Sequence, residues 1–532
     1  MNFQYILLAG VPVFSPALTS GQESKRPNFL ICVADDATFE HWGAMGCSWV
    51  DTPAFDSIAS EGVLYTSCYT PNAKSAPSRA CLLTGKYSWQ LGEAANHICN
   101  FPEDQKVFTE TLAEHGYAVA YTCKGWGPGN PGMKDGKPRQ LTGEPYNERV
   151  VAHRNTSGIN KIDYAANFED FIADHADSSW FFWFGCKEPH RKYECGSGAA
   201  KGGKSIDMIE EVPPFWPDCV EVRNDMLDYG FEIEYLDSHL GRMVSRLDSL
   251  GLLDNTVVIV TSDNGMPFPR GKSSNYEYSH HMPLAIMWKD GILHPGRVED
   301  SFVSFVDMAP TILDLAGIRP DFNMEGKSFR ANLTGRRAST GRKTLLFGRE
   351  RDDNGRPGNQ GYPIRGIRRG DWLYLHNLKP YLMPGGDPLT GYRDVDSSPT
   401  KTAVLDRMRD EADSSWWKLS LGFRQEHELY NVARDRYCMD NLAGDPRYAG
   451  LVRRLRKRME RQLRRQGDPR MGNDGDIFDR YPLAGGYDPE VWEKVNDGRL
   501  PRPWEDSKWV IPSDYVQFRD NVDGTLENVE SK

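Results

Sequence analysis

From residue 28, Asn28-Phe29-Leu30-Ile31-Cys32-Val33-Ala34 is a nearly unbroken apolar run, the pattern of a strand covered on both faces. Three more runs repeat it: Tyr117 to Tyr121, Trp180 to Phe184 and Thr256 to Val260. Segments with helical spacing lie between them, most clearly Ile233 to Leu250. Alternating strands and helices predict a doubly wound, mostly parallel α/β sheet. Near residue 365 the pattern changes. Ile364 to Leu375 reads as a hairpin turning at Arg369-Gly370-Asp371, and His427 to Asn431 as a further short strand. Pro446 to Arg465 reads as a helix, with Asp445 as N-cap and Gly467 near its end. The expected division is a main domain over 27–365 and a smaller C-terminal α+β subdomain over 366–532, with an antiparallel sheet and a basic helix.

Ahead of these domains, Ile6 to Phe14 is apolar and Ser15 to Ser20 is mostly small residues. Residues 1–20 therefore read as a secretory signal peptide, too short to span a bilayer. No other run is apolar for long enough to span, so no membrane span is expected and the mature protein is expected in the periplasm or outside the cell. The formal net charge of −11 over 532 residues excludes nucleic acid as the main partner, because a phosphate backbone needs a basic surface. The ten cysteines contain no CxxC pair, which removes a structural zinc site. They are expected to be mostly buried, with at most one or two bridges. The C-terminal helix is crowded with cations, Arg453, Arg454, Arg456, Lys457, Arg458, Arg461, Arg464 and Arg465 among them, while Leu451, Leu455, Met459 and Leu463 recur every four residues. A landing strip for a polyanionic glycan is one reading. A solvated face over a packed stripe is the simpler one.

The candidate chemistry sits where the predicted strands end. The first run ends in Asp35-Asp36, and the last leads into Ser262-Asp263-Asn264-Gly265. Doubly wound sheets bind ligands beyond the carboxyl ends of their strands. Four oxygen-bearing side chains there suit calcium or magnesium better than zinc. The other two runs are followed by Lys124 and by Lys187, Glu188, His190 and Arg191. Ser75-Ala76-Pro77-Ser78-Arg79 stands at the start of a helix that continues from Ala80, where backbone N–H groups and the dipole favour an anion. From the residues alone, this segment is equally an ordinary Pro-initiated helix with Ser75 as its cap.

Ser-x-Pro-Ser-Arg, an apolar stretch and then Thr84-Gly85, with Asp-Asp upstream and Asp-Asn-Gly downstream, resembles the sulfatase family from Asn28 to about Arg470. Val212-Pro213-Pro214-Phe215, Met266-Pro267-Phe268-Pro269 and Glu428-Leu429-Tyr430-Asn431 are similar to the branch that includes N-sulfoglucosamine sulfohydrolase. The resemblance implies an alkaline-phosphatase-like fold and a bacterial protein whose Ser75 is oxidised to formylglycine by a maturase before export. It implies one calcium ion on Asp35, Asp36, Asp263, Asn264 and the modified Ser75. Arg79, Lys124 and Lys272 would hold sulfate, and His190 would act as general acid. The implied substrate is a sulfated carbohydrate, such as a glycosaminoglycan or a mucin-type O-glycan, carrying an O- or N-sulfate.

Two departures stand out. The family's Gly-Lys-x-His is replaced by Cys123-Lys124-Gly125-Trp126-Gly127, and an earlier His of its His-x-Pro-His stretch by Lys187. His280 and His281 either substitute for the missing group or lie in a surface turn. Two rival readings remain: a phosphoesterase or phosphonate hydrolase of the same fold using an unmodified Ser75, and a sulfoglycan-binding protein without catalysis.

Overall fold

Ala118–Cys123, Trp180–Gly185, Asn28–Ala34 and Thr256–Ser262 lie side by side in that order, all parallel. The computed structural model describes residues 26–501 apart from 176, 411 and 412. Leu284–Met287 adds antiparallel to Thr256–Ser262, followed by Val63–Tyr65 and Arg297–Glu299, while Glu144–Pro145 closes the other edge. The result is an eight-stranded, mostly parallel sheet.

Its apolar runs are unbroken because each face is covered. Leu30, Cys32, Phe182, Phe184 and Val258 pack on one side with the helices Tyr164–His175 and Val220–Ser249. Phe29, Ile31, Phe181, Trp183 and Val257 pack on the other with Ser75–Thr84 and Met308–Leu315. The long helix begins at Val220, well before the predicted Ile233. Asp225 and Asp228 had interrupted its apolar stripe, yet both are buried and accept hydrogen bonds, Asp225 from Arg191 and Asp228 from the N–H groups of Gly196 and Gly198. A polar residue with a satisfied acceptor breaks a hydrophobic pattern without breaking the helix.

A second, antiparallel sheet pairs Leu345–Arg349, Ile364–Arg369, Trp372–Asn377 and His427–Asn431 in that order. Its first strand precedes the boundary expected at residue 366. The apolar run Leu345-Leu346-Phe347 resembles the main-sheet strands, so the sequence alone did not separate it from them. The basic helix is Ala449–Arg465, preceded by the turn Pro446–Tyr448, where Asp445 accepts from the Arg447 N–H. Leu455, Met459 and Leu463 are buried against Ile367, Tyr374 and Leu429, whereas Leu451 is only half-buried. On the other face Phe347, Leu373 and Leu375 pack with Tyr69 and Tyr276 of the main domain.

The expected signal peptide lies outside the described residues. Among the described residues no helix is long and apolar enough to cross a membrane. Cys32, Cys68, Cys81, Cys99, Cys186 and Cys438 are buried.

Candidate active site

Asn28–Ala34 and Thr256–Ser262 run in register, with Ala34 beside Ser262. The residues that follow them, Asp35-Asp36 and Asp263-Asn264, therefore emerge together. Asp36 turns at φ 74°, a left-handed conformation that Asp tolerates better than most residues. Its N–H donates to Asp263 Oδ1 at 3.0 Å, and its Oδ1 accepts from Asn264 Nδ2 at 2.7 Å. Gly265 completes the turn: a Cβ there would stand 2.1 Å from the Tyr278 carbonyl oxygen. Carboxylate oxygens of Asp35, Asp36 and Asp263 lie within 4.8 Å of one another, all buried.

The helix Ser75–Thr84 points its first turn at this cluster. Ser75 is its first residue, not its cap: the preceding Lys74 is extended and makes no side-chain capping bond. The Ser75 hydroxyl is free to face the carboxylates, 3.3 Å from Asp35 Oδ1 and 3.4 Å from Asn264 Oδ1. Arg79, one turn on, is fully buried. Its Nε donates to Asp263 Oδ2 at 2.8 Å, and its Nη1 to the carbonyls of Lys124 and Gly125 at 3.0 and 2.9 Å. Its Nη2 lies 3.6 Å from Asp35 Oδ1 and is left without a hydrogen bond. An orphaned buried donor of this kind calls for an anionic acceptor.

Two lysines complete the balance. Lys124 Nζ donates to both Asp35 oxygens at 2.6 Å, and Lys272 Nζ to Asp36 Oδ2 at 2.7 Å with Asp396 Oδ2 at 3.3 Å. Burial pushes the Asp35 carboxyl up, but Lys124, His190 and Arg79 outweigh it and hold the group below its ordinary value. Burial likewise pulls Lys272 down, and Asp36, Asp396 and Asp35 outweigh it, so its ammonium is held above the usual range. The donor set fits a hard divalent cation: three carboxylates, one amide and one hydroxyl, all offering oxygen.

A cavity of about 780 Å³ opens above, lined by Asp35, Lys124, His190 and Lys272. His190 Nδ1 lies 2.6 Å from the Arg191 carbonyl, which only accepts, so Nδ1 carries the proton and Nε2 is the free nitrogen, 3.8 Å from Asp36 Oδ2. Arg191 itself turns away into a two-pronged pair with Asp225, each contact 2.7 Å. Lys187 lines the cavity.

Lys74, His97, Asp353 and Asp396 are among the lining residues that the sequence did not mark as site residues. Lys74 Nζ is 2.8 Å from Asp353 Oδ2, and His97 Nδ1 is 3.5 Å from Asp353 Oδ1. Adjacency to Ser75 was a signal for Lys74; Asp353, His97 and Asp396 carry none that spacing reveals. His280 and His281 are neither substitutes nor a surface turn. Both are buried, with ring nitrogens 2.8 Å from the carbonyls of Thr70 and Thr66, and neither lines the cavity.

A second metal-like cluster, His376, Glu426 and His427, lies on the small sheet. There Arg456 Nη1 stands 3.2 Å from His427 Nε2, and none of the three residues lines the cavity above Ser75.

Residues 27–318, more than half of the chain, match the Sulfatase family model. The chain is 28% identical over 477 residues to human N-sulphoglucosamine sulphohydrolase, covering 84% of this chain and 91% of that protein. Its fold is like that of BT4656 in complex with its substrate D-glucosamine-2-N,6-O-disulfate, with a TM-score of 0.60, 20% identity, and coverage of 85% of this chain and 99% of that one. It is also like the phosphonate monoester hydrolase of Agrobacterium radiobacter, with a TM-score of 0.58, 18% identity, and coverage of 83% and 96%. At these identities the two structural likenesses speak for the fold alone. The carboxylate cluster beside Ser75, the orphaned guanidinium donor and the family match converge on one conclusion: this chain belongs to the sulfatase family, enzymes that hydrolyse sulfuric esters.

Proposed function

We propose that this chain is an exported carbohydrate sulfatase that removes an O- or N-sulfate from a sulfated glycan, such as a glycosaminoglycan or a mucin-type O-glycan. One observation carries the reading: Ser75 faces three buried carboxylates and three cations that come from four separate stretches of the chain. The relatives named above lend the substrate class.

Asp35, Asp36, Asp263 and Asn264 would hold calcium together with residue 75. Calcium supplies positive charge beside the sulfate, and oxidation of Ser75 to formylglycine by a maturase supplies a hydrated aldehyde as nucleophile. Arg79, fixed by Asp263 and two carbonyls, offers its orphaned Nη2 to an oxyanion. Lys124 and Lys272 bring ammonium groups to the adjoining cavity, where preset positive charge stabilises what grows in the transition state. His190, with Nδ1 tied to the Arg191 carbonyl, would present a proton at Nε2 to the leaving oxygen or nitrogen once its ring is protonated. Lys187 and the absence of a His after Lys124 alter the rim around that leaving group.

The test is release of sulfate from a panel of defined sulfated mono- and disaccharides by matured protein, with phosphate and phosphonate esters at equal concentration. Sulfate release with little phosphate release is expected. The peptide carrying Ser75 should be lighter by about two mass units after maturation. Preference for the phosphorus esters, with an unchanged peptide mass, would overturn the reading.

A further inference from the structure

The basic helix Ala449–Arg465 is more than a solvated face. Arg454, Lys457, Arg458 and Arg461 fall at i, i+3, i+4 and i+7, one side of the helix. They line a groove of about 870 Å³ together with Lys343 and Arg369, from two other segments. Trp372 adds a half-buried ring, braced at 5.5 Å by Tyr448. Asp300 is the one carboxylate in the lining. This groove shares no lining residue with the catalytic cavity.

Arg342, which also lines the groove, is paired with Asp307, and the other six cations form no ion pair among the described residues. By contrast Arg456 and Arg464 of the same helix share Glu460. Arg458 Nε is buried without a hydrogen-bond partner. In a chain of net charge −11, six unpaired cations from three segments around one groove make a local field that attracts a polyanion.

We propose that this groove is a second glycan site, which holds a sulfated stretch of the polysaccharide at a distance from the sugar being desulfated. The identity of the occupant rests on the sulfatase reading above; the positive field does not. A sulfated glycan fits better than nucleic acid. Its charges are spaced along sugar rings that present a face to Trp372, whereas a long duplex would run beyond the groove onto an acidic protein.

The experiment measures binding of a heparin dodecasaccharide to full-length Ser75→Ala protein, which removes turnover. The comparison is with the same protein carrying Arg454→Gln, Lys457→Gln and Arg461→Gln. The triple change should weaken binding about tenfold, and raised salt should erase the difference. Lys343→Gln with Arg369→Gln, outside the helix, should weaken binding in the same direction. In the Ser75 background the triple variant should keep its turnover of a sulfated monosaccharide. If neither variant weakens binding of the dodecasaccharide, or a DNA duplex of equal charge competes as well as heparin does, the proposal fails. Failure of the sulfatase reading would appear separately, as no sulfate released from any sugar while the groove variants still lose binding.

Discussion

Among the described residues, the cluster at Ser75 and the groove beside the basic helix gather cations on opposite terms. In the candidate active-site cluster Arg79 and Lys272 are buried, and every cation ends on a carboxylate: Arg79 on Asp263, Lys124 on Asp35 and Lys272 on Asp36. In the groove beside the basic helix, Arg454, Lys457 and Arg461 are exposed and unpaired among the described residues. Burying a charge costs several kcal/mol unless it is paired, so the buried set must be assembled as a neutral whole before it can position anything. The exposed set keeps its hydration and costs the fold little. The first arrangement suits chemistry, which needs fixed charge at a fixed point; the second suits capture of a flexible polyanion.

The contrast is sharpest at Ser75. Ser75→Ala removes a hydroxyl that touches only Asp35 and Asn264, at 3.3 and 3.4 Å, and opens no large void. Turnover of a sulfated sugar should fall by at least about a thousandfold, with the melting temperature nearly unchanged. Residual activity within tenfold of the parent would remove Ser75 from the mechanism.

Asp263→Ala attacks the pairing itself. Arg79 has no exposure, and its Nε ends on Asp263. Loss of that partner leaves a guanidinium uncompensated and should cost about 3–5 kcal/mol in denaturant unfolding. A cost below 1 kcal/mol would mean that Asp35 and the two carbonyls already satisfy Arg79, and that the cluster is looser than its distances imply.

Cation binding probes the same cluster from the other side. Three buried carboxylates within 4.8 Å offer a divalent ion oxygen ligands that the unfolded chain does not gather, so a bound ion should stabilise the fold by RT ln(1 + [L]/Kd), about 2.7 kcal/mol at a hundredfold excess over Kd. Calcium should raise the melting temperature and a chelator lower it, and Asp36→Ala should be indifferent to both. A variant that responds like the parent would place the ion elsewhere.

How much of this could be read beforehand follows from what fixes each feature. Strands such as Asn28–Ala34 were legible because burial on both faces leaves no room for polar residues. The convergence of Asp35, Asp36, Asp263 and Asn264 was legible because parallel strands must end at the same edge. The start of Val220–Ser249 was not, because Asp225 and Asp228 are polar residues whose partners, Arg191 and the Gly196–Gly198 backbone, come from elsewhere in the chain. Asp353, His97 and Asp396 were hidden for a related reason: they reach the cavity from loops whose path no local pattern dictates. The groove was half legible. Helical spacing revealed the cations on Ala449–Arg465, but only tertiary packing brings Lys343 and Arg369 into the same groove.

A buried carboxylate served only by neutral donors lies between the two regimes. Asp228 accepts from the N–H groups of Gly196 and Gly198 and from Ser197 Oγ, and burial pushes its carboxyl up to about 8 despite them. Its ordinary value is near 4, so between about pH 4 and 8 the folded chain holds a proton that the unfolded chain has lost. The resulting stability is complete below that window and is lost as pH rises through 8, with a slope of at most about 1.4 kcal/mol per pH unit. Denaturant midpoints measured from pH 5 to 8 should fall more steeply in the parent than in Asp228→Asn. Equal slopes would show that the three donors hold the carboxylate ionised.

The smallest effect belongs to the groove, and its smallness is the point. Arg454, Lys457 and Arg461 bury no charge, while the helix is held by Leu455, Met459 and Leu463 against the small sheet. Replacing any one of the three cations by Gln should shift unfolding by no more than about 0.5 kcal/mol. The sign should favour the variant at low salt, because four cations at i, i+3, i+4 and i+7 repel one another along the helix, and the gain should fade as salt screens them. A loss of stability on neutralisation would mean that these residues have partners within the fold. The groove would then be a structural seam like the one around Arg79, and the distinction between its two kinds of cation would disappear.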